Sequence, residues 1–209
     1  MFLVTKPSEE TIRRFISSQQ QHSFSYSETG ATRDRLPPNY TIDHNRIKLG
    51  TGLETYERAV TALRNWKQFD LGWAKIVPPE TPIQVGNTVA MRAQHFGCWS
   101  LNACRIVYVI PDRTSEDFIG ASQGVNLNSG RGATRRFAFA YGTLPDHAEQ
   151  GEERFTVEWQ KEDDSVWYDL LAFSRPHQFV VKLGYPLARQ LQKRFARESL
   201  AAMVAAASK

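Results

Sequence analysis

What this chain of 209 residues has little of narrows its class more than what it has in plenty. It carries two cysteines, Cys98 and Cys104, with no CxxC and no His/Cys spacing of the zinc kind. A disulfide framework is therefore excluded. The pair could meet only across a tight hairpin, and free buried thiols in a reducing compartment are the expectation. Nowhere do apolar residues run for the roughly 20 positions that a membrane span needs. The opening, Met1-Phe2-Leu3-Val4-Thr5-Lys6-Pro7, is apolar too briefly for the core of a signal peptide. A cytoplasmic protein without a membrane span is expected.

Nucleotide and hydrolase signatures are missing as well. The corner Gly50-Thr51-Gly52 lacks the rest of a phosphate loop or of a GxGxxG turn, and two glycines commonly make a tight bend. Ser174 has no GxSxG elbow around it. Charge of one sign is scarce: 26 basic against 22 acidic residues leave a net +4. The basic residues are scattered apart from Arg131, Arg135, Arg136 and a stripe near the C-terminus, so a nucleic-acid partner is not expected. No cofactor motif is present, and none is expected.

Aromatic residues are what the chain has in quantity, twelve Phe and five Trp among them. Large rings fill a core, and they also line pockets for apolar ligands. A chain of this size buries roughly 70% of its unfolded surface, enough for one domain spanning 1–209. Ser8 to Gln20 reads as a helix, with Ser8 as N-cap, Glu9 and Glu10 in the first turn, and Ile12, Phe15 and Ile16 on one face. Together with the polar stretch that follows, it makes an N-terminal helix and arm over about 1–38.

A strand at Arg46–Gly50 leads into an amphipathic helix that carries Tyr56, Ala59, Val60, Leu63 and Trp66 and stops near Phe69-Asp70. Strands are expected at Trp73–Val77, Thr88–Phe96 and Asn102–Ile110, the last with Cys104, Ile106, Tyr108 and Ile110 on one side. Phe137, Phe139 and Tyr141 alternate with alanines, and Phe155, Val157 and Trp159 form a period-2 run. After the polar reversal at Lys161–Ser165, Val166–Phe173 returns as a strand covered on both faces. From Pro186, an apolar stripe of Leu187, Leu191, Phe195, Leu200, Met203 and Val204 defines a long final helix. Arg189, Lys193 and Arg197 form a separate basic stripe on it, either a solvated face or a contact for an acidic partner. Strands in series followed by a helix imply an α+β fold, an antiparallel sheet with helices on one face. The Ser/Gly/Asn/Asp-rich stretch 113–134 is either flexible or a working lid.

Several dense motifs carry a family resemblance. Tyr141-Gly142-Thr143-Leu144-Pro145-Asp146-His147 is followed by Gly151-Glu152-Glu153-Arg154-Phe155. To these add Tyr40–Gly52, Trp66–Trp73, Ala172-Phe173-Ser174-Arg175-Pro176 and Leu183-Gly184-Tyr185-Pro186-Leu187-Ala188-Arg189. From about Phe24 to Met203 the chain resembles the DUF1990 (UPF0548) proteins of bacteria and plants. The resemblance implies a START/Bet v 1-like (SRPBCC) helix-grip fold, in which a curved antiparallel sheet wraps a long C-terminal helix and encloses an apolar cavity. It implies no biochemical activity. Two departures stand out: 113–134 looks like an insertion, and Gly184-Tyr185 replaces a Gly-Gly pair.

The densest polar cluster is His147, Glu149, Glu152 and Glu153, placed in a turn. It suits metal binding, acid/base work or, more plainly, a solvated turn whose glutamates hold backbone amides. Arg175 either clamps a ligand carboxylate or pairs internally with Glu153. Asp169, in an apolar strand, either faces out or is paired. A helix-grip fold then suggests a small apolar or amphipathic ligand, held by Tyr141, Thr143, His147, Glu153, Phe173 and Arg175. An enzyme of the cyclase, hydratase or hydrolase kind on the same cavity is the alternative. So is a protein-interaction module acting through the basic stripe.

Overall fold

The computed structural model describes residues 1–95, 97–114, 134–176 and 185–208. Helix α1 (Glu9–Gln19) begins where the Ser8 hydroxyl accepts from the Thr11 amide at 3.2 Å, and it buries Ile12, Phe15 and Ile16. Before it, the two-residue strand β1 (Phe2–Leu3) pairs with the start of a later strand. Strand β2 (Thr41–Thr51) bulges between Lys48 and Gly50, then turns through Gly52 into α2 (Leu53–Arg64). The Gly52 amide donates to the Asp164 carbonyl at 2.9 Å, so this glycine corner is tied to a neighbouring hairpin rather than open as a phosphate loop.

Helix α2 is shorter than its periodicity predicts. Trp66 takes a left-handed conformation, φ 57°, and a 3-10 turn (Lys67–Phe69) follows. The Trp66 ring still reaches the core, edge-on to Phe139 at 5.2 Å.

The remaining strands are β3 (Ala74–Val77), β4 (Thr88–His95), β5 (Cys98–Thr114), β6 (Thr134–Thr143), β7 (Glu149–Gln160) and β8 (Ser165–Pro176). They form one antiparallel sheet in the order β2-β8-β7-β6-β5-β4-β3, with β1 on the early part of β5. Helix α3 (Tyr185–Ala207) has 23 residues, about 35 Å of length at 1.5 Å per residue.

Alternation along the strands separates two cores. Cys104, Ile106, Phe137, Phe139, Phe155, Val157, Tyr168 and Leu170 face inward, where α2, the 3-10 turn and α3 lie. The α3 residues Phe195, Ala196, Met203 and Ala207 are buried in this inner core, and the Phe195 ring packs tilted against Phe69 at 5.0 Å. The curled sheet grips its last helix, as expected. Helices confined to one face were also expected, and here the structure differs. The outward residues Ala90, Leu101 and Ala103 are themselves apolar, and with Leu144 they bury α1 on the outer face.

Two details of β5 correct the sequence reading. A bulge between Ile106 and Tyr108 reverses the alternation, so Val109 packs inward and the Tyr108 hydroxyl meets the Thr32 hydroxyl at 2.8 Å. Cys98 and Cys104 lie in this same strand, about 20 Å apart at the usual rise per residue, and cannot meet across a hairpin. Both are free, but only Cys104 is buried. Of the expected 113–134 insertion, Arg113 and Thr114 belong to the end of β5 and Thr134 begins β6, while 115–133 lies outside the described residues, as does Gly184. No helix among the described residues is long and apolar enough to cross a membrane.

Candidate functional site

The polar cluster read as a turn lies mostly in β7, and the sheet divides it. Phe155 and Val157 face inward, so period 2 sends Glu153 and Glu149 inward and Glu152 outward. On the outer side Glu152 is 2% exposed and accepts from the Tyr26 hydroxyl at 2.7 Å. It also accepts from the amides of Gly30 (2.6 Å) and Thr32 (3.0 Å) and from the Thr32 hydroxyl. One carboxylate thus fastens the arm after α1 to the sheet. Gly142 of β6 leaves the space that the Tyr26 ring occupies; a Cβ there would strike it. Asp169 also faces out, hydrogen-bonded to His44 Nε2 (2.6 Å) and ion-paired with Arg154 (3.5 Å) and Arg46 (3.6 Å).

On the inner side a cavity of about 550 Å³ opens between the sheet and the first half of α3. Its apolar wall includes Trp73, Met91, Leu170, Leu191, Phe195 and Leu200. Glu153 lies in this wall, enclosed by protein yet reachable from the cavity. Its carboxyl accepts from the Tyr141 hydroxyl at 2.6 Å. Burial pushes Glu153 up to about 7, the Tyr141 hydrogen bond works in the other direction, and the charges of Glu149 and Asp43 add to the rise. Burial pushes the Tyr141 phenol well above its ordinary value, with Glu153 adding to the effect. It raises Cys104 and Tyr168, the other ionisable groups near Glu153 on β5 and β8, in the same way.

A polar network anchors the start of α3 at the same place. Arg189 grips Asp43 of β2 with two hydrogen bonds of 2.5 and 2.7 Å. Gln192 donates to Glu149 and to the Ser174 hydroxyl, the latter at 3.1 Å. Glu149 is raised by burial, against the pull of its bonds to Ser174 and Gln192. At the opposite wall His95 lies 4.9 Å from the Trp73 ring, and burial lowers its pKa, with Arg194 contributing. The mouth is marked by exposed Phe2 and Leu187 and by exposed Lys193 and Arg197.

Of the six residues expected to face a ligand, Tyr141, Thr143, His147 and Glu153 line this cavity. Thr143 is also bound to the arm through the Ser25 hydroxyl at 2.6 Å, and His147 Nδ1 lies 3.0 Å from the Glu149 amide and carbonyl. Phe173 reaches the wall, but its ring packs edge-on to Tyr26 (5.6 Å) and Tyr40 (5.0 Å), on the side of Glu152. Arg175 is away from the cavity. It lies 4.5 Å over the Tyr40 ring and donates to Gln150 at 2.8 Å, so the expected internal pair with Glu153 does not form. Arg189 is engaged with Asp43, which breaks the expected basic stripe. Sequence reading missed Asp43, Asn45, His95, Asn102 and Gln192 in the lining; the first two share the inward parity of Ile47 and Leu49. Among the described residues, no group of three or more His, Cys, Asp or Glu side chains is placed to hold a metal.

A curved antiparallel sheet closed on its last helix around an apolar cavity defines a helix-grip protein, the architecture implied by the START/Bet v 1 resemblance. Residues 25–202 match the family described as "Domain of unknown function (DUF1990)", and the chain belongs to that family. A UPF0548 protein of Dictyostelium discoideum is 36% identical over 99% of this chain and 95% of its own length. One from Arabidopsis thaliana is 34% identical over 79% of this chain and 72% of its own. Among solved structures, a hypothetical protein of Helicobacter pylori superimposes with a TM-score of 0.50 at 11% identity. That match covers 88% of this chain and 96% of the other, a likeness of fold alone.

Proposed function

We propose that this chain binds a small apolar or amphipathic molecule in the cavity between its sheet and α3. The molecule's polar end would sit at Glu153 and Tyr141. The observation that carries this reading is an interior space of about 550 Å³ with a mostly apolar wall and a buried carboxyl in it. That volume falls within the roughly 300–1,000 Å³ of small-molecule sites, whereas a packed core leaves few voids larger than a water. Free thiols at Cys98 and Cys104 suit a reducing, cytoplasmic setting. The test is the uptake of a neutral apolar dye such as Nile red. The native chain should bind it with a blue-shifted rise in fluorescence, and Ala188→Trp, which fills the cavity from α3, should not. Equal signals from both would overturn the reading.

A second reading, an enzyme on the same cavity, is favoured by one observation. Glu153 sits at about 7 beside a phenol that stays protonated, which suits a general acid or base at neutral pH. In such a reaction Glu153 would take or give the proton at its carboxyl, and Tyr141 would hold that carboxyl in place. Turnover of a bound molecule by the native chain, lost in Glu153→Gln, supports this reading. Recovery of every bound molecule unchanged contradicts it.

A further inference from the structure

The cavity's charges are unevenly matched. Asp43 and Arg189 neutralise each other in a two-pronged ion pair. Glu153 has no such partner, since among the described residues no Lys, Arg or His nitrogen lies within 4.0 Å of its carboxylate, whereas Glu149 feels the Arg189 charge without forming an ion pair of that length. Lys193 and Arg197 line the cavity too, but both are exposed on α3, and the Arg197 side chain is 75% accessible to solvent. The inner polar end therefore offers acceptors and negative charge, and the positive charge stays at the rim.

We propose that the cavity selects amphipathic cations, with the ammonium group received by the Glu153 carboxylate and the apolar tail along Leu170, Leu191, Phe195 and Leu200. This inference rests on the cavity being a ligand site. A carboxylate left unpaired in an apolar enclosure is unfavourable, and a ligand ammonium removes that penalty on arrival. An ammonium carries three donors, enough to reach Glu153 and still meet Glu149 or an amide oxygen such as Asn45 or Asn102 in the wall. A fatty carboxylate would meet two like charges, and an alcohol would make a neutral hydrogen bond only. Burial raises both Glu153 and Glu149, and for Glu153 the charges of Glu149 and Asp43 add to the rise with no cation opposing it. At neutral pH the cation would complete the ionisation of Glu153.

The experiment is calorimetric titration of the full chain with decylammonium, decanoate and decanol at about pH 8, where the amine is charged and carboxyls are ionised. Charge-assisted hydrogen bonds exceed neutral ones enough that decylammonium should bind about ten- to a hundred-fold more tightly than either competitor. Glu153→Gln should bring the three to within about three-fold of one another. Decanol or decanoate binding as tightly as decylammonium overturns the cation inference and leaves the cavity reading standing. A preference unchanged in Glu153→Gln overturns the role given to Glu153. Binding of none of the three overturns the cavity reading itself. The ranking on the native chain decides the matter even if the variant does not fold.

Discussion

Glu152 and Glu153 are consecutive residues of β7 that face opposite sides of one sheet, and the two sides treat a buried carboxyl differently. Outside, Glu152 receives four donors from the arm and has no further valence to offer. Inside, Glu153 receives one phenol, feels the charges of Glu149 and Asp43, and otherwise faces the apolar-walled cavity. The first arrangement is complete without any other molecule. The second is not, and unmet polarity inside an apolar cavity is where a ligand gains most. The comparison teaches that burial of charge alone does not mark a site; what matters is whether the protein itself supplies the partners.

Breaking the outer side should have the largest effect. Glu152→Ala leaves the Tyr26 hydroxyl and two amides without this acceptor and the Thr32 hydroxyl with Tyr108 alone, and should destabilise the fold by about 4 kcal/mol. Urea unfolding gives the loss, and amide exchange should show it concentrated over residues 25–32.

The inner side should respond with the opposite sign. The folded-state pKa of Glu153 lies above its ordinary 4.5, so its contribution to stability is complete below about pH 4.5 and is lost as pH rises through 7. Glu153→Gln removes that loss. The variant should match the native chain near pH 4.5 and exceed it near pH 8 by on the order of 2 kcal/mol, read as melting temperature against pH. Tyr141→Phe should act least, at about 1 kcal/mol. By removing the one hydrogen bond that favours the charged carboxylate, it moves the Glu153 midpoint above 7, which a carbon-detected NMR titration of the carboxyl would follow.

The contrast between the two glutamates was partly legible beforehand. The ring-bearing face of β6 and the run Phe155, Val157, Trp159 mark the inner side, and stepping back by twos from Phe155 reaches Glu153 and Glu149. The terminal helix and the hairpin around Lys161–Ser165 were legible because long periodic stripes and polar reversals are local signals. Other features depend on contacts between distant segments. The β5 bulge that turns Tyr108 outward leaves no mark in composition, and the arm's docking on Glu152 links residues about 120 apart in sequence. Phe173 and Arg175 are expected at the ligand only through the helix-grip resemblance carried by Ala172–Pro176. Their strand is buried on both faces, so its composition does not distinguish them, and the Tyr26 and Tyr40 rings hold the first outward while Tyr40 and Gln150 hold the second.

The interior volume beneath α3 is the claim on which the rest depends. Native mass spectrometry of the chain, incubated with a cellular lipid and metabolite extract and then desalted, tests it most directly. A single small-molecule adduct on the native chain that disappears in Ala188→Trp is the predicted result. Bare protein mass for both chains under conditions that preserve noncovalent complexes would contradict the account.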